Sequence, residues 1–524
     1  MHPHRHPHPH RHPHLHRRDW LRLLGATAAT AGTGLAAPQA RTVDDTAARF
    51  AENLGRHPEL LPLQGLPAHG PDELRCAALS VQGRWPEDLR GRFHRNGPAL
   101  FEREGQRYHH WFDGDGMVQQ FALAGRQISH HGRFVHTRKL QADRAAGRFV
   151  SGAFGTPIQL AVPVTGPDSV NAANTSVIEH GGRSLALWEG GSAYELAVDG
   201  LATRGPVVWQ TGWAGVPFSA HPKLDRQGVL WNIGTWGDRI ATYQIAPGGQ
   251  LQRGQLARLP WAMGMVHDMA ITARFFVVPL PPLRMDVAAV NQGVPLARAF
   301  AWHGREPLRL WVAPKDDIQQ ARVFELPAEF IFHVGNAWED GEEIVLSYLA
   351  SANADVLVHD IPAMMRGQAR PHAAAGAASV VVRLNLRTGQ ASRVAGTDSS
   401  EFPRIHPRLN GERHRWQLTA SAWRARGGAA SNFFHGLALT DQDTGRTERY
   451  DFGDGALVEE HLWVAKPGAR DERDAWLLGT HVDTRARVTR LSVFDARGLA
   501  DGPLAVASLP YWLPLGFHGH FQAT

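Results

Sequence analysis

Residues 332–340 read Phe-His-Val-Gly-Asn-Ala-Trp-Glu-Asp and place His333 in one of four distinctive histidine settings in this chain. The other three are His221 in Phe-Ser-Ala-His-Pro-Lys, His267 in Met-Val-His-Asp and His518 in Gly-Phe-His-Gly. Spacings of 46, 66 and 185 residues separate them, so they meet only if the whole fold converges on one point. Imidazole is a good ligand for iron, copper, zinc and nickel. The pattern therefore predicts a four-histidine metal site in which no carboxylate offsets the charge of the ion directly.

Short strand signals dominate the chain between these histidines. Runs of β-favouring residues alternate with Gly, Asp and Thr turn residues, and the chain holds 17 Trp and 54 Gly. The clearest runs are Ser184–Trp188, Val229–Gly234, Arg239–Ile245, Glu343–Leu349 and Ser379–Leu386. Helices are expected only at Val43–Asn53 and Pro362–Arg366. The pattern predicts an all-β sandwich, barrel or propeller, and no repeat of a WD or kelch kind selects among them.

Several further motifs occur in a fixed order and carry a resemblance. They are Gly-Arg-Phe-His-Arg-Asn-Gly-Pro (91–98), His-Trp-Phe-Asp-Gly-Asp-Gly-Met (110–117), Asn-Ala-Ala-Asn-Thr (171–175), Ala-Leu-Trp-Glu-Gly-Gly (186–191) and Glu-Phe-Pro-Arg (401–404). With the four histidine settings, they make the chain from about Leu74 onward resemble the carotenoid cleavage oxygenases. These are non-haem Fe(II) enzymes that split a conjugated C=C bond with O2 into two carbonyl products.

The resemblance implies a fold and a ligand arrangement. The expected fold is a seven-bladed β-propeller with the metal on its axis and a cap of loops and helices over one face. Each of His221, His267, His333 and His518 would then come from the inner strand of a different blade and bind one Fe(2+) per chain. For the last ligand the motif favours His518 over its neighbour His520.

Three glutamates match the residues that orient the histidines in this family: Glu189, Glu401 and Glu460. A metal-bound histidine usually donates its second ring N–H to such a carboxylate. The resemblance assigns them to His267, His333 and His518, which leaves His221 without one. The third match is the least specific, because Glu459 stands beside Glu460 and His461 replaces the usual proline.

Three more positions bear on catalysis and substrate. Thr175 matches a catalytic-site threonine whose methyl group limits access to the open position at the metal. Stilbene-cleaving members hold a phenol hydroxyl with a Lys and a Tyr, which correspond here to Trp188 and Phe134. Both replacements are apolar and favour a polyene over a phenol. Phe134 is either a tunnel-lining residue or a core aromatic.

An acidic run, four further histidines and an apolar segment are assigned no part in the metal site. Asp113–Gly116 lacks the downstream spacing of a calcium loop and predicts a tight turn. His109, His136, His180 and His461 are interpreted as ordinary core or surface residues. The apolar segment Phe275–Leu283 predicts a tunnel mouth, a membrane contact that draws in a lipid-like substrate, or a buried strand ending in a proline-rich loop.

The first 40 residues read as an export leader ahead of a single oxygenase domain over residues 41–524. Arg17-Arg18 precedes a weakly apolar Ala/Gly/Thr stretch that ends Ala36-Ala37-Pro38-Gln39-Ala40, which predicts a twin-arginine signal peptide and a periplasmic or exported location. Residues 2–16 contain eight histidines, which are either a discarded leader or a metal-handling tract.

The leader carries five Arg and one Asp, a net charge of +4, so the remaining residues carry about +1 of the total net charge of +5. That balance gives no reason to expect nucleic acid. The single cysteine, Cys76, allows no internal disulfide.

These observations favour an Fe(II) dioxygenase that cleaves a carotenoid or apocarotenoid with O2. The alternative within the family is a lignostilbene-type dioxygenase that gives aromatic aldehydes. Retinoid isomerisation is a further family activity. A periplasmic metal- or ligand-binding propeller without catalysis is the hypothesis from a different class.

Overall fold

The computed structural model describes residues 44–158, 161–368, 377–396, 399–423 and 433–524. Seven antiparallel sheets of four or five strands surround one axis as the blades of a β-propeller, and this confirms the expected fold class. The expected leader, residues 1–40, lies outside the described residues. None of the helices among the described residues is long and apolar enough to span a bilayer.

The blades are numbered along the chain, and the first strand of each of blades 2–7 lies nearest the axis. Blade 1 consists of β1 (Glu73–Cys76), β7 (Gln127–Phe134), β6 (Asp115–Ala124), β3 (Arg90–Leu100) and β34 (Gly519–Ala523), and blade 2 of β8 (Ser176–His180), β9 (Arg183–Leu187), β10 (Tyr194–Leu196) and β11 (Thr203–Pro206). Blade 3 consists of β12 (Lys223–Leu224), β13 (Leu230–Trp236), β14 (Arg239–Ile245) and β15 (Leu251–Arg258), and blade 4 of β16 (Ala270–Ile271), β17 (Phe275–Leu280), β20 (Leu308–Pro314) and β21 (Arg322–Leu326).

Blades 5 to 7 follow the same pattern. Blade 5 consists of β22 (Phe330–Asp340), β23 (Glu343–Ser351), β24 (Ala378–Asn385) and β25 (Ala391–Ala395), and blade 6 of β26 (Ser399–Arg404), β27 (Trp416–Ala422), β28 (Gly436–Asp441) and β29 (Thr447–Asp451). Blade 7 consists of β30 (Ala456–Ala465), β31 (Ala475–Asp483), β32 (Val488–Asp495), β33 (Ala505–Ser508) and β2 (Ser80–Gly83). Two small hairpins join β4 (Glu102–Arg103) to β5 (Gln106–Arg107) and β18 (Leu283–Met285) to β19 (Phe300–Trp302).

The ring is closed twice by segments from opposite ends of the sequence. Strand β34 pairs with β3 from Gly91↔Ala523 to Arg95↔Gly519. Strand β2 pairs with β33 at the outer edge of blade 7. Because closure removes the open edge that an incomplete propeller would expose, both pairings stabilise the ring. Closure also carries His518, immediately before β34, to the axis.

The hydrophobic core consists of layers between neighbouring blades. Between blades 7 and 1, Phe93 and Phe121 pack with Trp476 and Leu478, and all four are almost fully buried. Similar layers separate blades 2 and 3, 3 and 4, and 4 and 5. Because these layers remove large apolar side chains from water, their burial is a major source of stabilisation.

A cap of short helices and loops covers one face of the ring. It includes α1 (Thr46–Leu54), α3 (Val287–Asn291), α4 (Leu296–Ala299) and α5 (Ile361–Met365), with the β18–β19 hairpin. Helices α1 and α5 lie within three residues of the two helices that the sequence predicts. Helix α2 (Arg138–Ala146) was not predicted, although Thr137 caps its first turn and Gly147 ends it with φ of +65°. Its polar sequence lacks an apolar stripe.

The segment Phe275–Leu283 is mainly a buried strand. Residues 276–280 are buried in β17, which pairs with β16 and β20 in blade 4. The buried-strand interpretation is therefore confirmed.

Gly234 is required by close packing inside blade 3. A Cβ atom there would come within 1.8 Å of the Pro217 carbonyl oxygen. We expect Gly234→Ala to lower the free energy of unfolding by about 1–3 kcal/mol, because backbone must move to accept the methyl group. Gly166→Ala is the matched control, since no atom lies within 4 Å of its Cβ position. Equal unfolding midpoints for the two variants in urea would contradict the packing assignment.

Candidate metal centre

Four histidine side chains meet on the propeller axis. One ring nitrogen from each of His221, His267, His333 and His518 lies within 4.8 Å of all the others, and all four residues are buried. The Nε2 atoms of His221 and His267 are 3.0 Å apart, and those of His333 and His518 are 3.1 Å apart. The structure thus brings together the four histidines that the sequence singled out.

The histidines come from four different blades. His221 lies two residues before the first strand of blade 3, and His267 lies three residues before that of blade 4. His333 lies in β22 of blade 5, and His518 immediately precedes β34 of blade 1. Only His333 lies within a strand, whereas the resemblance implied an inner strand for each. Loop positions just before the strands allow the rings to turn toward the axis.

The three matched glutamates each contact one histidine at its outer nitrogen. Glu189 Oε1 lies 2.9 Å from His267 Nδ1, Glu401 Oε2 lies 2.5 Å from His333 Nδ1, and Glu460 Oε1 lies 2.9 Å from His518 Nδ1. They come from blades 2, 6 and 7, so every blade contributes to the centre. None of the described carboxylates pairs with His221, as the resemblance implied.

These contacts fix the chemistry of the cluster. A carboxylate at Nδ1 holds the proton on that nitrogen, so the lone pair of Nε2 points inward. At least three lone pairs then face one another in a buried space, and a cation there removes their repulsion. The donor set therefore fits a transition-metal ion with imidazole ligands. The three carboxylates offset the charge of a divalent ion.

Irregularities in the strands aim these side chains. The ladder is interrupted around His333 in β22, between Glu401 and Arg404 in β26, and between Val458 and His461 in β30. A β-bulge bends a strand and redirects a side chain, and bulges are frequent beside active sites. Phe402 has φ of +55°, and its ring packs against the rings of His333 and His518 at 5.4 Å each. This strained backbone position lies directly beside the metal ligands.

Burial and nearby charges set the ionisation of the centre. Burial lowers the pKa of His221 far below its ordinary value, and it lowers the pKa of His518 to about 3 despite the pull of Glu460. Burial alone would also lower the pKa of His267, but Glu189 outweighs it and raises that pKa. Burial would raise the pKa of Glu460, but Arg404 and His518 hold it well below its usual range. His221 and His518 are thus neutral and able to bind a metal at physiological pH.

A cavity beneath the cap reaches three of the four histidines. Its wall is largely apolar and is lined by Trp111, Phe112, Phe154, Trp188, Met265, Met285, Phe300, Phe332, Met364, Phe433, Phe434 and Phe517, among others. Thr175, His267, His333 and His518 lie at its base. Among the described residues, no Lys, Arg or Tyr lines it. The cavity therefore offers mainly apolar contacts to a bound molecule.

The opposite side of the centre is polar. Lys223 Nζ lies 2.8 Å from Asp268 Oδ1, and Asp268 Oδ2 accepts from the Val334 backbone N–H at 2.8 Å. Arg404 Nε donates to Glu460 at 2.7 Å. Asp268 therefore connects the segments that carry His221, His267 and His333.

The chain matches a known protein family over most of its length. The family model described as retinal pigment epithelial membrane protein matches residues 68–523. The chain belongs to this family, the carotenoid cleavage oxygenases. This chain is 26% identical to apocarotenoid-15,15'-oxygenase from Synechocystis sp. over 484 residues. The aligned region covers 87% of this chain and 94% of that oxygenase.

Two solved structures of carotenoid cleavage oxygenases are similar in sequence and fold. Cobalt-substituted apocarotenoid oxygenase from Synechocystis has a TM-score of 0.78 and 25% identity, covering 88% of this chain and 99% of that one. Lignostilbene dioxygenase from Pseudomonas brassicacearum has a TM-score of 0.77 and 26% identity, covering 86% and 96%.

The two substrate positions predicted for this carotenoid cleavage oxygenase have different outcomes. Trp188 lines the cavity next to Glu189, with its ring packed against Gly190. Phe134 instead packs with Met117 and Leu140 in the core of blade 1, away from the cavity. The tunnel-lining interpretation of Phe134 was wrong, because the end of β7 is covered by α2 rather than by the cap.

Neighbouring polar residues have structural partners. His520 lies on β34 opposite His94 and is not part of the four-histidine cluster. Asp113 accepts from the Phe154 and Gly155 backbone N–H groups and thereby holds that loop. His461 Nδ1 lies 3.0 Å from its neighbour's carbonyl oxygen, Glu459 O.

Sequence reasoning missed several polar residues of this oxygenase site. Asp268, Arg404 and Asn174 stand inside the quoted motifs, next to His267, Glu401 and Thr175, yet were given no role. Asn174 accepts from the Thr175 hydroxyl at 3.2 Å and donates to the Phe112 and Gly114 carbonyl oxygens. The Thr175 hydroxyl is thereby turned toward Asn174, and Thr175 lines the cavity. The position of Asp268, Arg404 and Asn174 inside the motifs was the signal that could have identified them.

Proposed function

We propose that this chain is an Fe(II)-dependent dioxygenase that cleaves a conjugated C=C bond of a carotenoid or apocarotenoid. The four-histidine cluster that opens into an apolar cavity carries this proposal. Its similarity to apocarotenoid-15,15'-oxygenase supports the reaction class. The crystal structure of a cobalt-substituted relative supports a metal at the cluster.

Each group of residues has a defined task. His221, His267, His333 and His518 would hold one Fe(II), and bound iron would supply the activation of O2 needed to place one oxygen atom on each carbon of the broken bond. Glu189, Glu401 and Glu460 orient three of the histidines and offset the ion's charge. The Thr175 methyl group narrows the approach to the histidines from the cavity. This scheme requires no protein acid or base.

The cavity selects the substrate by burial. Its aromatic and methionine side chains bind an apolar chain through removal of surface from water, at about 25 cal/mol per Å². A polyene loses no hydrogen bonds on entry. A phenol leaves its hydroxyl among Trp188 and other apolar groups, which costs about 1–3 kcal/mol when no partner replaces water.

A paired substrate assay tests this assignment. Protein reconstituted anaerobically with Fe(II) is exposed to O2 with an apocarotenoid or a hydroxystilbene. We expect aldehyde products from the apocarotenoid and little or none from the hydroxystilbene. Preferential turnover of the hydroxystilbene would establish the lignostilbene-type alternative, which the likeness to lignostilbene dioxygenase supports. One iron per chain with no O2 consumption on either substrate would favour a binding propeller.

Thr175→Ser tests whether the methyl group limits access. Serine keeps the hydroxyl that donates to Asn174 but removes the methyl group. We expect unchanged iron content and a several-fold higher affinity for nitric oxide, measured by electron paramagnetic resonance of the Fe(II) protein. Thr175→Val, which keeps a methyl group in place, is the control. Equal nitric oxide affinities in all three proteins would refute the role.

We further propose export by the twin-arginine route, on the basis of Arg17-Arg18 and the stretch that follows. Replacing both arginines by lysine is expected to retain the protein in the cytoplasmic fraction. Periplasmic recovery of that variant would contradict the proposal.

A further inference from the structure

The segment that delivers the last histidine has no regular secondary structure. Residues 509–518 join β33, which pairs with the outermost strand β2 of blade 7, to β34 beside β3. Without a strand ladder of its own, this segment needs other contacts to fix His518. Glu460 supplies one, because it accepts from His518 Nδ1 and from the Gly519 backbone N–H at 2.8 Å.

A buried ion pair holds the same segment two residues earlier. Arg95 Nη2 lies 2.6 Å from Glu459 Oε1, and both side chains are at most 5% exposed. Glu459 also accepts from the Gly516 backbone N–H and from Thr480 Oγ1, each at 2.5 Å. Arg95 Nη2 also donates to the Pro514 carbonyl oxygen. The pair therefore contacts the segment at two backbone positions.

Close backbone packing completes the contact. A Cβ atom at Gly97 would lie 2.5 Å from Gly516 Cα, and one at Gly516 would lie 2.3 Å from Arg95 Nε. Asn96 exchanges backbone hydrogen bonds with Phe517 and His518. Strand β3 and the segment are thus in direct contact along residues 95–97.

The β-bulge in β30 makes both carboxylates available to one segment. Side chains of consecutive residues point to opposite faces of a regular strand. The register shift between Val458 and His461 leaves Glu459 and Glu460 without partner residues on the neighbouring strand β31. Both side chains reach residues 516–519.

From these contacts we infer that Arg95 and Glu459 are positioning residues, which fix the Pro514–His518 segment so that His518 meets the other three histidines. This inference rests on the proposed metal site and deepens it. Burial raises the pKa of Glu459 and lowers that of Arg95, so burying the charges is costly. Three donors occupy Glu459, which leaves it unsuited to act as a base.

The inference predicts faster metal loss when either partner is replaced. We expect Glu459→Gln, Arg95→Lys and the double variant Arg95→Met/Glu459→Leu each to release Fe(II) to a chelator at least about 10-fold faster than the parent, per folded chain. The double variant removes the unpaired buried charge, so it is expected to recover thermal stability but not metal retention. Glu329→Gln is the matched control, because Glu329 is a buried carboxylate of blade 5 that pairs with Arg393 and accepts from the Tyr348 hydroxyl rather than touching the centre.

Hydrogen exchange of the metal-free proteins separates this inference from the proposed function. We expect the amides of Gly516 and Phe517 to lose protection in the Arg95 and Glu459 variants but not in Glu329→Gln. Absence of iron binding by the unmodified protein would overturn the proposed function. The hydrogen-exchange result would still decide whether Arg95 and Glu459 position the segment, because it is measured without metal. Parent-like protection and parent-like metal loss in the double variant would overturn the inference, whatever its thermal stability.

Discussion

Replacing His518 by alanine is expected to abolish stoichiometric metal binding and turnover, whereas replacing His520 by alanine leaves both close to the parent level. His518 Nε2 lies 3.1 Å from His333 Nε2, and Glu460 holds its other nitrogen. His520 is two residues away but lies opposite His94 on the neighbouring strand. Loss of an orienting carboxylate typically costs 10–100-fold in metal affinity, so loss of the ligand itself is expected to exceed about 100-fold.

Iron per folded chain, measured after anaerobic dialysis against Fe(II), checks this prediction. Circular dichroism and unfolding midpoints of both variants exclude a loss of fold as the cause. Normal iron content in His518→Ala together with loss in His520→Ala would show that the ligand assignment is wrong.

Replacing Glu401 by alanine is expected to lower the affinity for Fe(II) by about 10–100-fold, and Glu401→Gln by an amount at the lower end of that range. Glu401 Oε2 contacts His333 Nδ1 at 2.5 Å and also accepts from the Phe402 backbone N–H at 3.1 Å. Alanine removes the acceptor and the charge, so His333 loses its fixed tautomer. Glutamine keeps an acceptor oxygen and loses only the charge. The difference in Fe(II) affinity between the two variants therefore separates the orienting effect of Glu401 on His333 from the effect of its charge.

Competition with a metal indicator gives the Fe(II) dissociation constants. Glu329→Gln again serves as the control, because it removes a buried carboxylate that does not touch the centre. Parent-like affinity in Glu401→Ala would contradict the orienting role, and an equal loss in Glu329→Gln would point to a general effect on the fold.

The sequence was most informative where function imposes a local motif. The four histidines and the three glutamates each stand in a distinctive setting, and the structure brings them to one axis. Individual strands such as β14 were predicted from turn residues and β-favouring runs alone. The number of blades came from the resemblance, because no residue repeat marks one blade from the next.

Features that depend on contacts distant in sequence were not predictable. The Arg95–Glu459 pair joins the first and last blades, and no local pattern links these residues. The sequence assigned Glu460 to His518 but gave Glu459 no role, because only the bulge in β30 brings both carboxylates to the same segment. Phe134 was misplaced because the direction of a side chain at a strand end depends on what covers it, here α2. Helix α2 itself depends on its caps and packing rather than on apolar periodicity.

Single turnover with an apocarotenoid tests the central claim most directly. Fe(II)-loaded protein is mixed with the substrate and ¹⁸O2, and the product masses are recorded. The account predicts two carbonyl fragments, whose summed masses equal the substrate plus one molecule of O2, with label in each fragment before exchange. Intact substrate in the presence of one bound iron per chain, or fragments without label, would contradict it.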